Sequence, residues 1–159
     1  MSTQSQGQFT LLFVCTGNTC RSPMAQAIAS TLLEEKGKSE TIKVLSAGTF
    51  AWNNSPASLQ ARQVMLNQGL NIENHKATSI TEEQLHKADL VLTMTENQKH
   101  LLLEMASDEV TKNKIFTFKE YSGDQGDVVD PFGQDEQVYY ECSKELRAII
   151  ITALNKLPA

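Results

Sequence analysis

The sequence predicts an α/β domain of the doubly wound kind, a parallel sheet with helices packed on both faces. Two patterns carry that expectation. Short apolar, β-branched runs alternate with helix-length segments, and the first two helical segments each stop at a glycine. Length sets the rest: 159 residues with 40% hydrophobic content suffice for one good core and fall short of two ordinary domains. Residues 1–8 are polar and read as a loose tail, leaving residues 9–159 as the domain.

Phe9 to Val14 is the first expected strand. Pro23 to Lys36 follows as a helix ending at Gly37, with Ser22 as a good N-cap and Pro23 suited to the first helical position. Ile42 to Leu45 is the second strand, and Ala57 to Gln68 a helix ending at Gly69. Thr81 and Thr95 are candidate N-caps for helices over Thr81 to Lys87 and Thr95 to Met105, on either side of a strand at Leu90 to Met94. Ile115 to Phe118 is the fourth strand. The last segment sets Leu146, Ile149, Ile150, Ala153 and Leu157 on one helical face, a packing stripe. Right-handed crossovers then place the loop after the first strand at the sheet's carboxyl edge.

That loop, Cys15-Thr16-Gly17-Asn18-Thr19-Cys20-Arg21-Ser22-Pro23, holds a cysteine and an arginine at its two ends with five residues between them. Such a span can curl so that its backbone N–H groups converge, while the guanidinium closes the bowl with two parallel charge-assisted hydrogen bonds. Gly17 can take a positive φ without steric cost, and Asn18 visits the left-handed region readily. A helix N-terminus behind the loop adds a favourable dipole for an anion. The dipole, the inward amides, Arg21 and a hydroxyl from Ser22 or Thr16 would together favour the Cys15 thiolate, which makes Cys15 a candidate nucleophile and a phosphoryl dianion the fitting ligand.

Loop and context together resemble the low-molecular-weight protein phosphatases, whose signature is a Val-Cys entry into a Gly/Asn-rich loop that ends Cys-Arg-Ser-Pro. The likeness continues through Leu45-Ser46-Ala47-Gly48-Thr49 and Ala88 to Met94 to Asp130-Pro131-Phe132-Gly133, covering about residues 9 to 157 in family order. It implies a four-stranded parallel sheet in order 2-1-3-4. It also implies that Asp130 is the general acid, since displacement from phosphorus needs the leaving group protonated as it departs. By composition alone an Asp before Pro in the turn-rich stretch Gly123 to Gly133 would be a turn former. Asp127 has no such match and is expected to face water. Trp52, in a loop spelled by Asn53, Asn54, Ser55 and Pro56, and Phe132 are the expected pocket walls, with Thr16, Gly17, Asn18, Thr19, Cys20 and Ser22 completing the substrate site.

The implied reaction has two steps. Cys15 attacks in line to give a phosphocysteine while Asp130 protonates the leaving atom; Asp130 then activates water, releasing inorganic phosphate. Thr19 bears on which side chain is dephosphorylated. The tyrosine-directed branch of the family usually carries Ile or Leu there, whereas the bacterial branch resembling protein-arginine phosphatases has Thr-Gly-Asn-Thr, as here, and Asp-Pro-Phe-Gly around the acid. Phosphoarginine in proteins is therefore the leading substrate and phosphotyrosine the alternative, favoured by Trp52. A remoter alternative is arsenate reductase, which shares loop and fold but relays electrons through additional cysteines; outside the loop only Cys142 remains, in a predicted helix.

Cys20 shares the loop with Cys15, close enough for a disulfide that would protect Cys15 from irreversible oxidation. Three cysteines without a secretory leader point to reduced thiols and a cytoplasmic protein, and the resemblance implies a bacterial one. His75, His86 and His100 lack ligand spacing, so neither metal nor cofactor is expected. A net charge of −5, with its 14 Lys and Arg scattered, excludes a nucleic-acid partner, and no apolar run is long enough for a membrane span.

Overall fold

A computed structural model describes residues 8–157. The tail expected over residues 1–8 therefore lies, except for Gln8, outside the described residues, as do residues 158 and 159. Strand β1 (Phe9–Cys15) is central. Its segment from Leu11 to Cys15 is wholly buried, as a strand covered on both faces requires. It pairs in parallel with β2 (Ile42–Gly48) on one side and β3 (Leu90–Thr93) on the other, and β4 (Ile115–Thr117) adds to β3, giving the order β2-β1-β3-β4. The expected topology is borne out.

The two-residue period of β1 divides its side chains between two cores. Leu11, Phe13 and Cys15 join the larger one, beneath α1 (Arg21–Glu35), α2 (Leu59–Asn67) and the long α7 (Glu136–Asn155). Leu12 and Val14 join the smaller one with Leu85 of α3 (Glu82–Lys87) and Leu102 of α4 (Glu96–Met105). Phe13 meets Phe118 with ring centroids 5.1 Å apart. In α7 the expected stripe is buried at Leu146, Ile150 and Ala153 and half-buried at Ile149, while Leu157 follows the helix end.

Local chemistry explains most boundaries. Ser58, Thr81 and Thr95 cap α2, α3 and α4, and the last two form reciprocal capping boxes with Gln84 and Gln98. Gly37 and Gly69, with φ of 72° and 81°, follow the caps of α1 and α2. Three expectations are corrected. The N-cap of α1 is Cys20, not Ser22, because the Ser22 hydroxyl is engaged in the loop; Pro23 is tolerated within the first turn, where N–H groups have no intrahelical acceptor. Phe118 does not end β4 but starts α6 (Phe118–Tyr121), because Thr117 and Glu120 form a capping box. A short α5 (Glu109–Lys112), capped by Asp108, stands where the sequence suggested no element. Among the described residues no helix is long and apolar enough to cross a membrane.

Candidate active site

The loop joining β1 to α1 lies at the carboxyl edge of the sheet, held from one side by the chain after β2. Register pairs Cys15 with Gly48, and the N–H groups of Thr49 and Phe50 donate to the Cys15 and Thr16 carbonyls, each at 2.9 Å. A Cβ on Gly48 would collide with the Thr16 carbonyl oxygen and lie 3.0 Å from Asn18 N, so only glycine admits this approach. Within the loop the left-handed turn is made by Asn18, φ 57°, and not by Gly17. The reason is the Asn18 side chain: its Oδ1 accepts from Thr78 N at 2.8 Å, and its Nδ2 donates to Ser22 Oγ at 2.7 Å and Ser46 Oγ at 3.0 Å.

These anchors shape a cavity of about 210 Å³ lined by Cys15 to Gly17 and Thr19 to Arg21, with Asp130 and Phe132 across from them. Asn18 and Ser22 are fully buried and support the bowl without lining it. Ser22 Oγ is 2.9 Å from Cys15 Sγ. Arg21 is only 4% exposed; its Nη1 donates to Val128 O at 2.8 Å and its Nη2 is 3.5 Å from Asp130 Oδ2. Its Nε is buried without a protein acceptor, which leaves the Nε–Nη2 edge as the fork for a bidentate oxyanion. Asp130, 49% exposed, also accepts from Phe132 N at 3.1 Å, so the turn-forming role and the reach toward Arg21 coexist.

Trp52 stands apart from the expectation. It is 85% exposed and does not line the cavity, because its loop is fastened elsewhere: Asn53 Oδ1 accepts from Ser79 N and Asn54 N donates to Ala77 O, each at 2.8 Å. Asp127 is exposed as expected, yet it is not idle. Its Oδ1 accepts from Glu96 N at 2.9 Å, and the neighbouring Val128 N donates to Met94 O at 2.8 Å, so the acid-bearing segment is moored to the end of β3 and the start of α4.

Residues 10–158 match the family described as low molecular weight phosphotyrosine protein phosphatase. The chain belongs to this family. It is 39% identical over 141 residues to a protein-arginine-phosphatase of Bacillus subtilis (88% of this chain, 91% of that one). It is 40% identical over 150 residues to one from Geobacillus stearothermophilus (94% and 96%). The crystal structure of a low molecular weight protein tyrosine phosphatase from T. tengcongensis superposes with a TM-score of 0.89 at 42% identity, covering 94% of this chain and all of that one.

Behind the bowl of this low molecular weight phosphatase stand residues that sequence reasoning did not single out. His75 Nε2 donates to the Asn18 carbonyl at 2.7 Å; burial pushes its pKa down and that hydrogen bond partly offsets the effect. Gln98 is buried, and its Nε2 donates to Thr16 Oγ1 at 3.0 Å while its Oε1 accepts from Met94 N and Thr95 N. Tyr139 OH lies 3.3 Å from Cys20 Sγ and accepts from Ser58 Oγ at 3.4 Å; burial foremost pushes its pKa up to about 12. Only Gln98 had a local signal, the Thr95 capping box; the others reach the loop from 57 or more residues away. Cys142 is buried in α7 and desolvation pushes its thiol up to about 12, in keeping with a packing role. Among the described residues no group of three or more His, Cys, Asp or Glu could hold a metal ion.

Proposed function

We propose that this protein phosphatase hydrolyses phosphoarginine in proteins through a phosphocysteine intermediate. Cys15 attacks phosphorus in line: the S–P bond forms, the P–N bond breaks, and Asp130 gives its proton to the departing guanidine nitrogen. Arg21 and the loop amides hold the equatorial oxygens as charge redistributes. Asp130 then takes a proton from water, which attacks phosphorus, releases inorganic phosphate and restores the thiolate. The 2.9 Å Ser22–Cys15 contact sets a hydroxyl beside the attacking sulfur, and Cys15 is free to attack.

The observation that carries the substrate assignment is Thr19 in the wall of the same cavity as Cys15 and Asp130. Its small polar side chain gives a guanidinium an acceptor where an apolar residue would support a phenyl ring. Arginine is a far stronger base than a phenol, so a poised acid matters most for a P–N bond. The Bacillus and Geobacillus relatives bear the arginine-phosphatase name, which supports the same reading. Phosphotyrosine is the second reading, favoured by the tyrosine-phosphatase name of the T. tengcongensis structure; Trp52, its other support, is not among the residues lining the cavity. Arsenate reduction would need a relaying cysteine, and Cys142 is packed in a helix.

Parallel rates on phosphoarginine and phosphotyrosine peptides, with the native protein and Thr19→Ile, test the assignment. The native protein prefers phosphoarginine, and the substitution moves preference toward phosphotyrosine. A native preference for phosphotyrosine of about tenfold, equivalent to about 1.4 kcal/mol in barrier height, reverses it.

A further inference from the structure

Beside Asp130 a second groove, of about 450 Å³, is lined in part by Thr95, Asn97 and Gln98 at the start of α4. It shares Thr16, Arg21 and Asp130 with the catalytic cavity, so the two spaces adjoin at these residues. Its walls include Phe50 and Val129, 73% and 75% exposed, with Leu101 one turn after Asn97 and Gln98 of α4. Neither exposed apolar residue sits on a loose segment. Phe50 N donates to Thr16 O of the phosphate-binding loop, and Val129 lies between Val128, which is moored at both its N–H and its carbonyl, and Asp130. Exposed apolar side chains held rigidly beside a reaction centre are a binding feature, because their ordering cost is already met by the fold.

We propose that this groove receives an apolar side chain of the substrate polypeptide, from a residue within two positions of the phosphorylated one. The inference rests on the reading of this chain as a protein phosphatase, not on which side chain carries the phosphate. Chain geometry is compatible with it: consecutive Cα atoms are about 3.8 Å apart, so flanking side chains leave the backbone beside the phosphorylated one. Charge narrows the occupant. Arg21, the groove's cationic residue, is taken up by Val128 O and by the phosphoryl group it clamps, whereas Asp127 and Asp130 make the polar end negative. An acidic flanking residue is therefore disfavoured.

The test is a set of phosphopeptides in an alanine background with a single Leu or Glu at each of the four flanking positions. Each is made with phosphoarginine and with phosphotyrosine, and kcat/KM is measured for the native protein and for Phe50→Ser combined with Val129→Thr. At one position or more, Leu raises the native kcat/KM at least about fivefold over Ala and Glu lowers it, and the double variant reduces the Leu advantage to less than about twofold. Equal native rates on Leu and Ala peptides, or a Leu advantage that survives the double variant, overturn the proposal. The phosphoarginine-to-phosphotyrosine ratio in the plain alanine peptides reports separately on the substrate assignment, so either conclusion can fail without the other.

Discussion

Ser22 Oγ sits between the Cys15 sulfur at 2.9 Å and the Asn18 amide nitrogen at 2.7 Å, and the direction of the bond from Asn18 is fixed. Thr78 N–H can only donate, so Asn18 presents Oδ1 to it and Nδ2 to Ser22 and Ser46. Ser46 in turn donates to Gln26 Oε1 at 2.7 Å, and Gln26 Nε2 donates to the Val44 carbonyl. Ser22 Oγ thus accepts from Asn18 with one lone pair, and its own proton is left for the sulfur whenever Cys15 is deprotonated. A hydroxyl delivered in this way stabilises a thiolate more than a thiol.

Ser22→Ala removes that donor while leaving the buried loop otherwise filled. Turnover falls about 10- to 100-fold, as loss of a hydrogen bond to a charged group predicts, with KM nearly constant. Alkylation of Cys15 by iodoacetamide at neutral pH slows in parallel. Unchanged alkylation would remove Ser22 from the account.

Asp130→Asn removes the proposed proton donor but keeps an amide beside Arg21. The kcat falls about 10²- to 10⁴-fold, and falls least for substrates whose leaving group needs no protonation, such as p-nitrophenyl phosphate. Because the native carboxylate competes for Arg21 Nη2 at 3.5 Å, inorganic phosphate inhibits the variant more tightly. Equal losses on good and poor leaving groups would contradict the general-acid role.

Thr16 Oγ1 accepts from Gln98 Nε2, which has no other direction available, so the Thr16 proton is free to donate within the cavity it lines. Thr16→Val keeps the shape, weakens inhibition by phosphate about 5- to 20-fold and costs about 1 kcal/mol of stability for the orphaned Gln98 donor, whereas Thr16→Ser retains both. Phosphate inhibition curves and urea midpoints check this.

Gly48→Ala drives a Cβ into backbone rather than into a yielding side chain. The phosphate-binding loop must move, so kcat/KM drops at least about tenfold and stability falls by about 1 to 3 kcal/mol. Native-like kinetics with the alanine in place would show the approach to be compliant.

His75 makes acid sensitivity specific. Burial holds its folded pKa below the ordinary 6.5, so on acidification the unfolded chain takes up this proton first. The stability contributed by neutral His75 is complete above 6.5 and is lost as pH falls through the folded value. Replacing it with Gln, which keeps an N–H donor, therefore flattens the fall of the melting temperature between about pH 7 and pH 5. A steeper fall in the variant would reverse the sign.

The fold was legible because its signals are local. β1 announces a central strand by being apolar without alternation, and capping threonines and terminal glycines mark helix ends within one turn. Errors arose where one side chain had two possible employers. Ser22 has the chemistry of an N-cap but serves the Cys15 sulfur, and Phe118 has strand propensity but follows a capping threonine. In the site, the residues between Cys15 and Ser22 could be read directly because the loop folds on itself. The residues that aim them could not: His75 and Tyr139 meet the loop only through the sheet crossovers, and nothing in their own neighbourhood signals it.

The chain's one tryptophan stands in solvent, outside both cores. Its indole emission is already that of a hydrated ring in the native state, so denaturant titrations followed at the usual excitation register little when the sheet comes apart. Circular dichroism has to carry that measurement. The same fluorophore is instead a clean optical probe of macromolecules that settle over the Ala51–Asn54 loop.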